Sequence, residues 1–205
     1  MSRGKSVNNL IDVRQTVFHT VRYSEDTDTL LRNAPFLCKD RPGELKEWLG
    51  DGYYFWEKRD QLAHWWGKVR YRRKGEHYII CRTVFDCPDN EFLDLIGNSD
   101  QIEDVREVVE LMRLEPSFDA TQFTAQAVIH FLRTRTPFPY KAIRAYGRDC
   151  SADPEVKKYI LPFSRHSSMH LSPEYQICVI DKSVIDLPME LYYSSKEEEL
   201  NGYTV

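Results

Sequence analysis

Apolar residues run together or alternate with polar ones near both ends of the chain, and recur every three or four positions in its middle. Residues 17–23, Val-Phe-His-Thr-Val-Arg-Tyr, are β-branched and aromatic, which predicts a short strand. A short helix is expected over 25–31, with Ser24 as its cap. Asp40-Arg41-Pro42-Gly43 and Gly50-Asp51-Gly52 are turn signals. Residues 53–56 then read as a strand, and 60–66 as a helix packed through Leu62, Ala63 and Trp66. A stronger strand spans 77–85, after a turn at Lys74-Gly75.

Over 100–114, Ile102, Val105, Val108, Val109 and Met112 share one face of an amphipathic helix. Residues 120–133 repeat the pattern through Phe123, Ala127, Val128 and Phe131, with Asp119 as cap and Thr136-Pro137-Phe138-Pro139 as the stop. The last strand is expected at 175–181, followed by Val184-Ile185, and the acidic tail at 194–205 reads as loose. Strands near both ends with helices between them predict an α+β domain over 1–205, with a helical segment at about 100–135.

A formal charge of −4 offers no general attraction to nucleic acid or to an anionic membrane. One stretch runs against that total. In KVRYRRKGEHY, Lys68, Arg70, Arg72, Arg73 and Lys74 interleave with Val69 and Tyr71, predicting a basic strand or hairpin arm of period two. Such an arm is either a charged sheet edge or a phosphate-contacting face. The five cysteines are scattered without a CxxC pair, as in a reduced cytosolic protein. No apolar run follows the N-terminus and none is long enough to cross a bilayer, so a cytoplasmic location is expected. His166 and His170 are four apart, but serines and Pro173 argue for a loop, and without a third ligand no metal is expected.

The sharpest signal is GDGYYF at residues 50–55. Glycine lets backbone approach a ligand closely, and a flat aromatic can stack on a flat heterocycle. Ala63 follows nine residues after Tyr54, within the expected helix. Upstream stands VFHTVRY with His19 and Thr20, and downstream PEYQICVID with Glu174 and Gln176. These three blocks, in this order, resemble the signature of poly(ADP-ribose) polymerase-like ADP-ribosyltransferases. The resemblance covers residues 17–66 and 173–185 and leaves the helical middle aside.

The resemblance implies an ADP-ribosyltransferase-like split β-sandwich with a helical insertion, using NAD as co-substrate and no metal. His19 would hold the ribose, and the backbone at Thr20, where the family usually has glycine, would read the carboxamide. Gly50, Gly52, Tyr53, Tyr54 and Ala63 would line the NAD cleft, with Tyr54 stacking on nicotinamide. Breaking the nicotinamide–ribose bond builds positive charge on the sugar, which a nearby carboxylate stabilises. Gln176 falls where the family's glutamate usually sits. Glu174, two residues earlier and on the same face of an extended strand, is the charged candidate. The resemblance further implies transfer of ADP-ribose to a protein, RNA or DNA by a small toxin or phage-defence enzyme, and a neutralising antitoxin protein as partner. Two alternatives stay open: an NAD glycohydrolase, and a catalytically silent module that binds NAD or ADP-ribose.

Overall fold

The structure is a computed structural model that describes residues 12–39, 47–115, 123–147, 160–164, 167–170 and 174–200. It is an α+β fold built on a seven-stranded mixed sheet. In chain order the strands are β1 (Asp12–Arg22), β2 (Tyr53–Glu57), β3 (Tyr78–Pro88), β4 (Phe92–Asp94), β5 (Ala142–Tyr146), β6 (Ile160–Ser164), β7 (Ser167–His170), β8 (Tyr175–Val179) and β9 (Glu190–Ser194). The sheet order is β4-β5-β8-β2-β1-β3-β9, with only β4 and β5 parallel, while β6 and β7 form a separate hairpin. The helices are α1 (Thr27–Asn33), α2 (Asp60–Arg70), α3 (Ser99–Leu114), α4 (Ala125–Arg135) and α5 (Ser195–Leu200). Among the described residues no helix is long and apolar enough to cross a membrane.

Strand alternation gives the sheet two faces. On one, Val17, Val21, Phe55, Ile79, Ile177 and Val179 pack beneath α1 residue Leu30 and the segment carrying Val184, Ile185 and Met189. On the other, Phe18, Trp56, Tyr78 and Ile80 pack against Leu62 and Ala63 of α2, and Leu93, Ile143 and Cys178 pack against α4 residues Val128, Ile129 and Leu132. Below we call these the α1 face and the α2–α4 face.

Several expectations change. The cap of α1 is Asp26, whose carboxylate accepts the Thr29 N–H at 2.9 Å, because the helix begins two residues later than the pattern predicts. Thr124 caps α4 in the same way, while Asp119 lies outside the described residues. The basic stretch is helix and not a strand: α2 runs through Arg70, a 3-10 turn spans Arg72–Lys74, and Gly75 closes it at φ +75°. Its apolar contacts, Leu62, Ala63 and Gly67, recur at helical spacing, and that pattern outweighs the short alternation of cations. Within the tail expected to be loose, Ser194 ends β9 and residues 195–200 form α5, while 201–205 lie outside the described residues. Ser195 is buried there, and its hydroxyl accepts the Tyr78 N–H at 2.9 Å. Strands β4 and β5, on either side of the helical segment expected at about 100–135, have no counterpart in the sequence pattern.

Candidate functional site at the parting of two strands

Strand β1 pairs with β3 along its whole length, from Asp12↔Pro88 to Arg22↔Tyr78. With β2 it pairs only at Val17↔Glu57 and Phe18↔Trp56. Past Phe18 the two strands part, and residues 36–38 take the vacated place beside β2. The Cys38 N–H donates to the Gly52 carbonyl at 2.9 Å, and the Gly52 N–H returns a bond to the Cys38 carbonyl at 3.2 Å.

His19 stands at the apex of this fork. Its Nδ1 lies 2.8 Å from the Tyr54 carbonyl, so that nitrogen carries the proton and donates. Nε2 accepts the Phe36 N–H at 3.3 Å. The ring thus bridges both walls of the gap and leans on Phe55, with centroids 5.5 Å apart. Burial lowers its pKa to about 4, the Tyr54 hydrogen bond opposes that shift, and the charge of Lys182 adds to it. A proton on Nε2 would also face the Phe36 N–H donor. His19 is therefore neutral at physiological pH, with both nitrogens engaged inside the protein.

The neighbouring position faces the other way. Thr20 turns its hydroxyl to the α2–α4 face and donates to the Ala63 carbonyl at 2.9 Å, tying β1 to α2. Tyr54 also points to that face, packing in the α4 cluster. Its hydroxyl accepts the Leu49 N–H at 3.0 Å and donates to the Gly50 carbonyl at 2.8 Å, so the ring is bolted to the turn that precedes its own strand. Burial raises the phenol well above its usual range. Tyr53 lies on the α1 face with Lys182 Nζ 4.5 Å from its ring centroid, and Phe55 is core beside it.

The two glycines of GDG have separate local causes. Gly50 adopts φ +81°, a left-handed conformation that other residues reach only with strain. At Gly52 an added Cβ would stand 2.3 Å from Cys178 Sγ and 3.0 Å from the Val179 carbonyl, so strand β8 leaves no room for a side chain.

On β8, Gln176 sits directly opposite Trp56 and diagonal to Tyr54, all three on the α2–α4 face. The Trp48 indole N–H donates to Gln176 Oε1 at 2.8 Å. Glu174 stands just before the first residue of β8, at the end of the strand away from the opening of the fork, and is only 2% exposed. The structure thus places Thr20, Tyr54, Ala63 and Gln176 on the α2–α4 face, leaves Glu174 at the entry to β8, and sets the His19 ring apart from them. The acids that follow Arg144 in the sequence and could add a carboxylate near the site, Asp149 and Asp153, lie outside the described residues, as does His166. Among the described residues no three His, Cys, Asp or Glu side chains gather as metal ligands.

Two groups escaped the sequence reading. Trp48 next to the GDG turn is one, and its position was the available signal. The other is a partly buried ion cluster on the α1 face. Arg144 donates to both oxygens of Glu57 at 2.6 and 3.1 Å and to Asp94 at 3.1 Å, with its guanidinium 4.7 Å from the Tyr175 ring centroid. No local pattern announces it, because its members come from three strands. The chain matches no protein-family model, no curated protein and no solved structure.

Proposed function

We propose that this chain is an NAD-dependent ADP-ribosyltransferase with an ADP-ribosyltransferase-like split β-sandwich, of the small toxin or phage-defence type. One observation carries the reading. The three segments that resemble the family's signature, far apart in the chain, are neighbours in the order β8-β2-β1, and β1 parts from β2 at the signature histidine. NAD enters at the parting, with nicotinamide against Tyr54 and ribose toward Gln176. Glu174 supplies the carboxylate that stabilises the developing oxocarbenium charge, and Gln176 hydrogen-bonds a ribose hydroxyl. His19 holds the fork open through Tyr54 and Phe36 and orients the walls that NAD contacts. The acceptor is a macromolecule, and a neutralising antitoxin would cover the same opening.

The engaged nitrogens of His19 and the uncharged Gln176 favour a second reading, a silent module that binds NAD or ADP-ribose. Incubating the chain with isotope-labelled NAD, cell protein and RNA separates the two. The first reading expects nicotinamide release and label on an acceptor, both lost in Glu174→Gln. Binding by calorimetry without turnover moves the assignment to the second, and release of nicotinamide with no labelled acceptor moves it to a glycohydrolase. The absence of both binding and turnover removes the family reading altogether.

A further inference from the structure

Lys68, Arg70, Arg72, Arg73 and Lys74 fan around the C-terminal end of α2 and its 3-10 turn, and all five are exposed. Cations there complement the helix dipole, but one or two suffice for that. Among the described residues only Arg72 of the five has an ion-pair partner, Glu199 of α5 at 3.5 Å. The same carboxylate lies 3.5 Å from His77 Nε2. Helix α5 reads Ser-Lys-Glu-Glu-Glu-Leu and is anchored by buried Ser195. The chain therefore lays its own acidic helix against one side of an otherwise unpaired cationic end.

The turn after α2 meets the end of β1 that borders the fork: the Glu76 N–H donates to the Tyr71 carbonyl at 3.1 Å, and the Glu76 carboxylate pairs with Arg22 at 3.1 Å. A stable protein interface has an apolar centre, yet none of the large exposed apolar side chains falls within 68–74. Arginine forks and lysines with no large exposed apolar side chain among them match a phosphodiester backbone better than a protein surface.

We propose that the basic end of α2 docks the phosphodiester backbone of a nucleic-acid strand, the ADP-ribose acceptor, and that acidic α5 competes for the same cations. This rests on the transferase reading for the acceptor role, and on charge and exposure alone for the docking. The Arg72–Glu199 pair is exposed on both sides and weakly held, so a polyanion competes readily for the cation.

The test is fluorescence anisotropy of the full chain with dye-labelled single-stranded RNA and DNA of about 20 nucleotides across a sodium chloride series. With about four phosphates contacted, log affinity falls against log salt with a slope of about −3. R70E/R73E/K74E weakens binding about tenfold or more. E197Q/E199Q tightens it roughly threefold, a gain that misfolding cannot produce. Comparing the RNA and DNA arms identifies which strand is preferred. No binding, salt-independent binding, a charge-reversed variant that binds like the parent, or acid variants that bind no tighter each overturns the proposal. Equal affinity for poly-glutamate of matched length also overturns it. Nicotinamide release, assayed without nucleic acid, reports separately on the transferase reading. Release without nucleic-acid binding ends the docking proposal alone, and binding without release ends the acceptor role while leaving the docking surface.

Discussion

The two edges of β1 are built from one run of residues and behave differently. Toward β3 the ladder is continuous over eleven residue pairs, and the side chains along it are mostly core. Toward β2 it stops after two pairs, and a histidine ring, a tyrosine carbonyl and the chain at 36–38 replace backbone pairing. A closed ladder satisfies every polar group within the sheet and leaves nothing for a ligand. An opened seam must recruit side chains to finish the hydrogen bonding, and those side chains can be shaped for another purpose. The proposed function uses the open edge, and the comparison can be broken or sharpened by perturbing each edge in turn.

The largest effect is expected from His19→Ala. It leaves the Tyr54 carbonyl and the Phe36 N–H without their partner in a part-buried site, costing about 2–3 kcal/mol in urea unfolding. A cost below about 1 kcal/mol would mean that the fork does not depend on the ring.

The pH dependence of stability follows from the same group. His19 titrates near 4 in the fold against 6.5 as its ordinary value, so the unfolded chain takes up the proton first as pH falls. Its contribution is intact above 6.5 and declines from there down to 4, a loss of roughly 3 kcal/mol. Urea midpoints measured across that range should fall in the parent, and His19→Ala should lack this component of the slope.

Gly52→Ala is next. The added Cβ meets Cys178 Sγ and the Val179 carbonyl, and overpacking of this kind costs about 2 kcal/mol in thermal or urea unfolding. Because Gly52 pairs with Cys38 in the opened seam, NAD use should fall with it. The smallest effect is expected on the closed edge. Cys81 lies opposite His19 on β3 and is fully buried, and Cys81→Ala should cost roughly 1 kcal/mol while leaving nicotinamide release unchanged. Impaired release in that variant would erase the distinction between the edges.

The strands that carry strong β-branched or aromatic runs were legible in the sequence, as were the amphipathic helices, and the α+β class followed from them. Strands β4 and β5 were not. Phe92–Asp94 is three residues long, and Ala142–Tyr146 carries an arginine whose charge is neutralised by Glu57 and Asp94 from distant strands. The basic stretch misled because five cations obscured a helix read only through Leu62, Ala63 and Gly67. The candidate residues came from the sequence, and the fold makes the strands that carry them, β8, β2 and β1, neighbours. The sequence could not supply the side of the sheet for His19, because the register between β1 and β2 is set by where the seam opens, and that depends on residues 36–38.

Hydrogen–deuterium exchange of the full chain with and without NAD tests the central claim most directly. The account predicts added protection at 36–38, 48–54 and 175–179, with β3 and β9 unchanged. Protection confined to β3 and β9, or no change at the fork under saturating NAD, would contradict it.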